Sequence, residues 1–188
     1  MHKHFIIYKP YGMLSQHGTK GYKKKRGLAE LFDFPIGVQP VGRLDEDSEG
    51  LLLLTSDNKL NIHIRSKKIE KEYWVQLDGE ITEDAILKLQ SGVTITCDKL
   101  PYKTLPCKAW RINKDPDFPD RIPATRAGRH RPYSWLAIVL NEGKFRQVRK
   151  MTAAVGFPTL RLIRMRIGNI ELGNMQPSEV KEVAEFLL

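Results

Sequence analysis

The chain has 188 residues, which is enough for one domain or for two small lobes that share a core. Its hydrophobic content of 41% is typical of a globular protein and excludes a disordered chain, and no apolar run is long enough to span a bilayer. The formal net charge of +9 favours a polyanionic partner, although a merely soluble basic surface would carry the same charge.

The two cysteines, Cys97 and Cys107, are too few for a disulfide framework and lack the spacing of a zinc site. We therefore expect reduced thiols in a cytoplasmic protein, and the N-terminus shows no signal-peptide pattern. The sequence also lacks a glycine-rich phosphate loop, a Ser-His-Asp pattern and clustered metal ligands.

The first part of the chain predicts a strand over residues 4–8, which the Lys-Pro-Tyr-Gly sequence at 9–12 ends in a turn. Residues 20–27 hold five cations between glycines. Such a segment is typical of a solvated loop, but it can also become ordered on RNA. A short helix is expected over residues 28–32.

Residues 41–57 contain the most informative pattern. Four acids, Asp45, Glu46, Asp47 and Glu49, precede a glycine and then four consecutive leucines at 51–54. A short apolar run behind a turn predicts a strand buried on both faces, which can hold the acidic loop in one place. The four acids indicate either chemistry at a glycosidic bond or a solvated turn. Asp57 is expected to cap a helix that extends to about residue 65.

The middle of the chain predicts a strand over 72–77, a helix that begins at Thr82 and ends at Gly92, and strands over 93–96 and 105–112. Residues 113–133 break this pattern with four prolines and four arginines (Arg121, Arg126, Arg129 and Arg131). An irregular segment of this length is usually functional or disordered. A strand is expected to resume over 134–140.

The last part predicts a short helix near residues 145–155, with Val148, Met151 and Thr152 on a buried face. Arg146, Arg149 and Lys150 fall on the opposite side, which is either a solvated basic face or a phosphate-binding one. A strand follows over 160–167. Its Arg164 lies between apolar residues, so we expect it to be partly buried beside an anion. A final helix is expected to begin near Ser178.

Residues 42–45 (Gly-Arg-Leu-Asp) and 48–55 (Ser-Glu-Gly-Leu-Leu-Leu-Leu-Thr) resemble the catalytic motif of RNA pseudouridine synthases. The closer resemblance is to the RsuA-type family, which modifies ribosomal RNA. Residues 7–12, 71–73, 142–151 and 160–164 are similar to further blocks of that family, in its order, and together they cover nearly the whole chain.

The resemblance implies a role for each site residue. Asp45 is the catalytic aspartate, Tyr73 stacks on the target base, Arg164 pairs with the aspartate and keeps it ionised, and Arg43 supports base flipping. The residues assigned to RNA binding, besides Arg43, are Lys9, Arg146, Gln147, Arg149 and Lys150.

The implied fold is α+β, with a mixed, mostly antiparallel sheet, flanking helices and a central basic cleft. Residues 1–188 would form one catalytic domain of two lobes sharing one sheet, without the N-terminal S4-like domain that many members carry. We expect a monomer with no metal and no cofactor.

The implied reaction converts one uridine of ribosomal RNA, that of the 23S molecule, into pseudouridine. The base is flipped out, the N1–C1′ bond is cleaved, and the base is rejoined through C5. Two alternatives remain at this point, a non-catalytic rRNA-binding or ribosome-assembly module and a glycosidase that uses two of the four clustered acids.

Overall fold

The computed structural model describes residues 2–21, 24–66, 68–125, 127–128 and 131–188. Five residues of the two predicted basic loops lie outside this part of the chain: Tyr22, Lys23, Arg126, Arg129 and His130.

The strands are β1 (His4–Lys9), β2 (Gln39–Pro40), β3 (Glu49–Thr55), β4 (Lys71–Asp78), β5 (Thr94–Cys97), β6 (Leu100–Lys103), β7 (Lys108–Ile112), β8 (Tyr133–Leu140), β9 (Thr159–Ile167), β10 (Ile170–Glu171) and β11 (Val180–Val183). The α-helices are α1 (Asn58–Arg65), α2 (Glu83–Ser91) and α3 (Gln147–Ala154), and a 3-10 turn covers Leu28–Glu30.

The chain divides into two compact units. The first unit comprises Met1–Lys71 and Ile163–Leu188, and the second unit comprises Glu72–Leu162. Both boundaries fall inside strands, one in β4 and the other in β9.

The first unit is built around β3, all of whose residues are buried. In this unit β1 pairs antiparallel with one side of β3, and β9 pairs in parallel with the other. The predicted doubly buried strand and the implied α+β fold with a mixed, mostly antiparallel sheet are therefore confirmed. The central basic cleft stays a prediction.

The register of these three strands places Lys9 opposite Gly50, and Gly50 opposite Arg164. Gly50 has a φ of +101°, and a Cβ atom there would lie 2.4 Å from the Arg164 carbonyl oxygen and 2.7 Å from its backbone nitrogen. Only a residue without a side chain permits both this conformation and this close approach of β3 to β9.

The two predicted helix starts have their capping bonds. Asp57 accepts hydrogen bonds from the backbone N–H groups of Lys59 and Leu60, at 2.8 and 3.1 Å, and opens α1. Thr82 accepts one from the Ala85 N–H at 3.3 Å and opens α2. These short-range signals are sufficient to locate both helices.

The second unit has β8 between β4 and β7, and its apolar core is formed mainly by β4, α2, β8 and α3. The hairpin of β5 and β6 lies beside this sheet as a separate two-stranded ribbon. The sequence predicts β5 but not β6. The two residues of the connecting turn, Asp98 and Lys99, have φ values of +49° and +66°, and they lack the glycine that usually signals such a turn.

The 113–132 segment contains neither helix nor strand in its described residues, as predicted. The Phe118 ring lies 5.8 Å from that of Trp74 and 5.7 Å from that of Trp135. The Arg161 guanidinium lies 5.6 Å from the Phe118 ring and donates to the Pro119 carbonyl at 3.0 Å. Aromatic packing thus anchors one part of this irregular segment.

The helix predicted near Ser178 is wrong, because the chain forms β11 there and pairs antiparallel with β1. Ser178 has a φ of +76°, and its N–H donates to the Tyr8 carbonyl, while the Tyr8 N–H donates to the Glu179 carbonyl. The backbone groups of β1 need partners on this side, and this requirement overrides the local helix-start signal at Ser178.

Among the described residues, none of the helices has the length and apolar content needed to cross a membrane.

Gly50→Ala tests the contact between β3 and β9. We expect it to lower the free energy of unfolding by about 2–5 kcal/mol, because backbone strain and a steric overlap add together. Urea denaturation measures this loss. Gly37→Ala is the matched control, since Gly37 also has a positive φ (+89°) but no neighbouring atom within 4 Å of its Cβ position. Equal losses in the two variants would contradict the close contact.

Candidate active site

The acidic loop that precedes β3 is held by hydrogen bonds on both sides of Asp45. The Ser15 hydroxyl donates to the Leu44 carbonyl at 2.7 Å and accepts from the Leu44 N–H at 3.0 Å. The Gly12 N–H donates to the Glu46 carbonyl at 2.8 Å. The residues before and after Asp45 are therefore fixed by the turn that follows β1, which positions the half-buried Asp45 between them.

Lys9 is fully buried, with 0% of its surface exposed. Its ammonium donates to the carbonyls of Met13 at 2.7 Å and of Pro10 at 3.0 Å, and so closes the same turn. The sequence assigns Lys9 to RNA binding, but a buried ammonium in this position offers no surface to a phosphate. Its observed contacts stabilise the support of the acidic loop.

The charge of Lys9 connects it to the acids of the loop. The Lys9 pKa is lowered to about 7, mainly by burial and in smaller part by the charge of Arg164. Glu49, Asp47 and Asp45 oppose this shift and raise the pKa. Lys9, Arg164 and three carboxylates therefore form one electrostatic cluster in the first unit, which we call the ionic cluster.

Arg164 is 4% exposed, so its predicted burial is confirmed. Its Nε donates to the Leu51 carbonyl at 2.7 Å, whereas its Nη2 is buried with no hydrogen-bond partner among the described residues. The positive charge of Arg164 also contributes, after burial, to a Lys71 pKa lowered to about 8. The implied pairing of Arg164 with Asp45 stays a prediction, although both residues act on Lys9.

Arg43 is exposed and adjoins the buried Leu44 in the same loop. Its implied part in base flipping stays a prediction.

The other predicted site residues belong to the second unit. Tyr73 lies on β4, is half-buried and packs against the apolar core of that unit. Arg146 precedes α3 with a φ of +54°, and Arg149 and Lys150 are half-buried rather than fully solvated. Their contacts with RNA and the stacking by Tyr73 stay predictions.

Gln147 is buried, and its side chain organises the start of α3. Its amide donates to the Glu142 carboxylate at 2.6 Å, and its carbonyl accepts from the Lys144 N–H at 2.9 Å. We assign Gln147 to this structural role and leave it out of the proposed RNA contacts.

Glu142 is a residue that the sequence reasoning missed. It is 5% exposed, and it accepts hydrogen bonds from the Tyr102 hydroxyl at 2.5 Å, the Leu105 N–H at 3.0 Å and the Gln147 amide at 2.6 Å. Glu142 thus joins the β5–β6 hairpin to the first turn of α3. Its position just after the apolar strand β8 indicates partial burial. Its hydrogen-bond partners depend on the β5–β6 hairpin, of which the sequence predicted only β5.

Both cysteines are free thiols, as expected. Burial raises the Cys107 pKa to about 11, and the Glu142 charge contributes to the same shift, so this thiol stays protonated at neutral pH. The described residues contain no group of three or more His, Cys, Asp or Glu side chains that could hold a metal ion.

Comparison with known proteins points to one family. A family model described as RNA pseudouridylate synthase matches residues 3–154. The ribosomal large subunit pseudouridine synthase E of Vibrio parahaemolyticus is 44% identical over 184 residues, which are 96% of this chain and 74% of that protein. The protein of the same name from Xanthomonas campestris pv. campestris is 41% identical over 176 residues, 93% of this chain and 91% of that protein.

Solved structures agree with these sequence matches. A crystal structure of a pseudouridylate synthase superimposes with a TM-score of 0.77 and 26% identity, and the match covers 98% of this chain and 71% of that one.

Lys9→Met tests the ionic cluster through its pH dependence. Between pH 7 and 10.5 the unfolded chain keeps a proton on Lys9 that the folded chain has released, so this group makes the free energy of unfolding rise with pH. Between pH 7 and pH 9, the free energy of unfolding of the wild type should therefore rise by about 2 kcal/mol relative to that of Lys9→Met, as measured by urea denaturation.

The control for this measurement is Lys3→Met, because Lys3 is half-exposed and pairs with Glu182 at 2.5 Å. The Lys3 variant and the wild type should give parallel pH curves. If the Lys9 variant also parallels the wild type, the buried lysine titrates normally and the cluster is incorrectly described.

Proposed function

The chain belongs to the RNA pseudouridylate synthase family, and on that premise we propose that it isomerises one uridine of ribosomal RNA to pseudouridine. The substrate in this proposal is the 23S rRNA of the large subunit. The names of the relatives from Vibrio and Xanthomonas support this choice.

The observation that carries the proposal is the fixed position of Asp45 within the ionic cluster. A backbone held on both sides gives the carboxylate a defined place, and both Asp45 and Arg164 act electrostatically on the buried Lys9. A positioned carboxylate can attack carbon or stabilise the positive charge that develops at a sugar carbon when its glycosidic bond breaks.

The proposed reaction begins when the target nucleotide leaves the stack, which costs a few kcal/mol. Arg43 fills the vacated space, and Tyr73 stacks on the extruded base. The N1–C1′ bond then breaks with the electron pair on N1, the base rotates, and C5 bonds to C1′. C5 loses its proton with help from Tyr73 and N1 gains one, so the product is an isomer of the substrate.

Arg164 has two functions in this proposal. Its charge balances Asp45 during the reaction, and its Nη2 supplies a buried hydrogen-bond donor that is unused within the described residues. Leaving such a donor unsatisfied costs about 1–3 kcal/mol, which the proposed pairing with the Asp45 carboxylate would offset.

RNA binding in this proposal rests on Arg146, Arg149 and Lys150, at and beside the first turn of α3, where cations and backbone N–H groups favour phosphate. The catalytic domain comprises residues 1–188 and acts as a monomer in the cytoplasm, without a metal or cofactor. Size-exclusion chromatography with light scattering tests the monomer.

Asp45→Asn is the central test. We expect pseudouridine formation on 23S rRNA transcribed in vitro to fall by about 10³-fold or more, because an amide can neither attack carbon nor carry the negative charge. RNA affinity should stay within about three-fold, since phosphates dominate it. Carbodiimide-dependent primer extension measures the product, and filter binding measures the affinity.

Glu46→Gln is the matched control, since Glu46 occupies the same loop and forms an exposed ion pair with Lys25. This variant should retain activity close to that of the wild type. Unchanged turnover in Asp45→Asn would exclude the proposed catalytic role. Binding without product formation by the wild type would favour the non-catalytic rRNA-binding module.

A further inference from the structure

Phe145 is an aromatic residue that does not contribute to the core of the second unit. It lies in the turn before α3 and is 71% exposed. The ammonium of Lys150 lies 5.3 Å from the centroid of its ring. A large exposed ring costs free energy in water, and singly exposed apolar residues are common, so exposure alone does not indicate a function. The contacts around the ring are therefore needed to assign it a function.

The backbone around Phe145 is fixed. On one side the Lys144 N–H donates to Gln147, and on the other Arg146 adopts a left-handed conformation at the start of α3. Gln147 is in turn bonded to the buried carboxylate of Glu142. The ring therefore projects from a built turn rather than from a mobile loop, and little entropy would be lost if another group stacked on it.

Two lysines beside Phe145 connect the turn to the β5–β6 hairpin. Lys150 donates to the Thr96 carbonyl of β5 at 2.8 Å, while Lys144 lies 4.8 Å from the ring centroid of Tyr102 on β6. Lys99 and Lys103 of the same hairpin are exposed. Glu142, which bonds Tyr102 and Gln147, fixes the hairpin and the turn together.

We propose that Phe145 is a base-stacking residue that binds an unpaired nucleotide of the substrate RNA, while Lys144 and Lys150 contact the phosphates on either side of it. This inference rests on the proposed function, because it identifies a further contact with the same class of substrate. Every base has a π-face, so a rigid aromatic ring among lysines binds single-stranded RNA with little regard for sequence. The predicted consequence is a preference for substrates with an unpaired segment beside the modified uridine.

The residues assigned by resemblance do not supply this contact. Arg146, Arg149 and Lys150 are cations, and phosphate contacts do not distinguish a single strand from a duplex as base stacking does. Phe145 adds that distinction.

The test compares Phe145→Ala, Phe145→Leu and Phe145→Trp in the full chain. The first probe is a short single-stranded RNA that contains 2-aminopurine, whose fluorescence is quenched by stacking. The second probe is 23S rRNA transcribed in vitro. We expect Phe145→Ala to weaken binding of the single strand by about 5- to 100-fold and to abolish the quenching that the wild type produces.

Phe145→Leu keeps apolar area without a π-face and should behave like Phe145→Ala, whereas Phe145→Trp should restore binding and quenching. On rRNA, the loss in Phe145→Ala should appear in KM and not in kcat. Leu87→Ala is the control for removing an exposed apolar side chain in the same unit, since Leu87 is 60% exposed, and it should match the wild type.

Binding and quenching by Phe145→Ala within two-fold of the wild type would overturn the inference and assign the surface to another partner. Restoration by leucine would overturn stacking as its physical basis. Both results are separable from the catalytic test. Asp45→Asn should still quench the probe, and a wild type that quenches the probe but forms no pseudouridine would contradict the proposed function alone.

Discussion

The contact between the backbones of Gly50 and Arg164 is the constraint on which the candidate site depends. Since β1, β3 and β9 are adjacent, the register places Lys9, Gly50 and Arg164 in one row across the sheet. Strands lie about 4.8 Å apart, so the two cationic residues begin roughly 10 Å from each other with no side chain between them. The acidic residues that precede and begin β3 lie near this row because they come just before Gly50 in the chain. A larger residue at position 50 would push β3 away from β9. The carboxylates next to β3 would then also lie further from Arg164.

Lys9 shows why a chain retains a buried charge that is costly to desolvate. An isolated ammonium in a protein interior is strongly unfavourable, and the lowered pKa of Lys9 expresses that cost. Two backbone carbonyls and three nearby carboxylates offset part of it. The same two carbonyls belong to the turn whose Gly12 and Ser15 hold the acidic loop. Lys9 therefore fixes the turn that supports the loop through its hydrogen bonds, and it also interacts with the loop's carboxylates through its charge. An apolar residue of similar size would do neither.

Short-range patterns in the sequence were sufficient for much of the fold. The four leucines predicted β3, and Asp57 and Thr82 predicted the starts of α1 and α2, because each signal acts within a few residues. The resemblance supplied the site residues, and their roles stay predictions. Features that depend on distant partners were missed. β11 forms because β1 needs a neighbour, and Lys9 is buried by the turn that it closes. Glu142 takes its three partners from two segments that are distant from each other in the sequence. Local patterns contain no information about such partners, so periodicity and charge could not predict them.

The net charge of +9 overstates the cationic surface that the protein can offer to RNA. Lys9 and Lys71 donate to backbone carbonyls, and Arg161 and Arg164 are buried and do the same. These cations stabilise the fold, and phosphates cannot reach a fully buried one. Lys99, Lys103 and Lys144, in the β5–β6 hairpin and beside Phe145, differ from these cations because they are exposed and phosphates can reach them. The salt dependence of RNA binding reports only the phosphates that are actually neutralised, so its slope depends on this second group and not on the total charge of the chain.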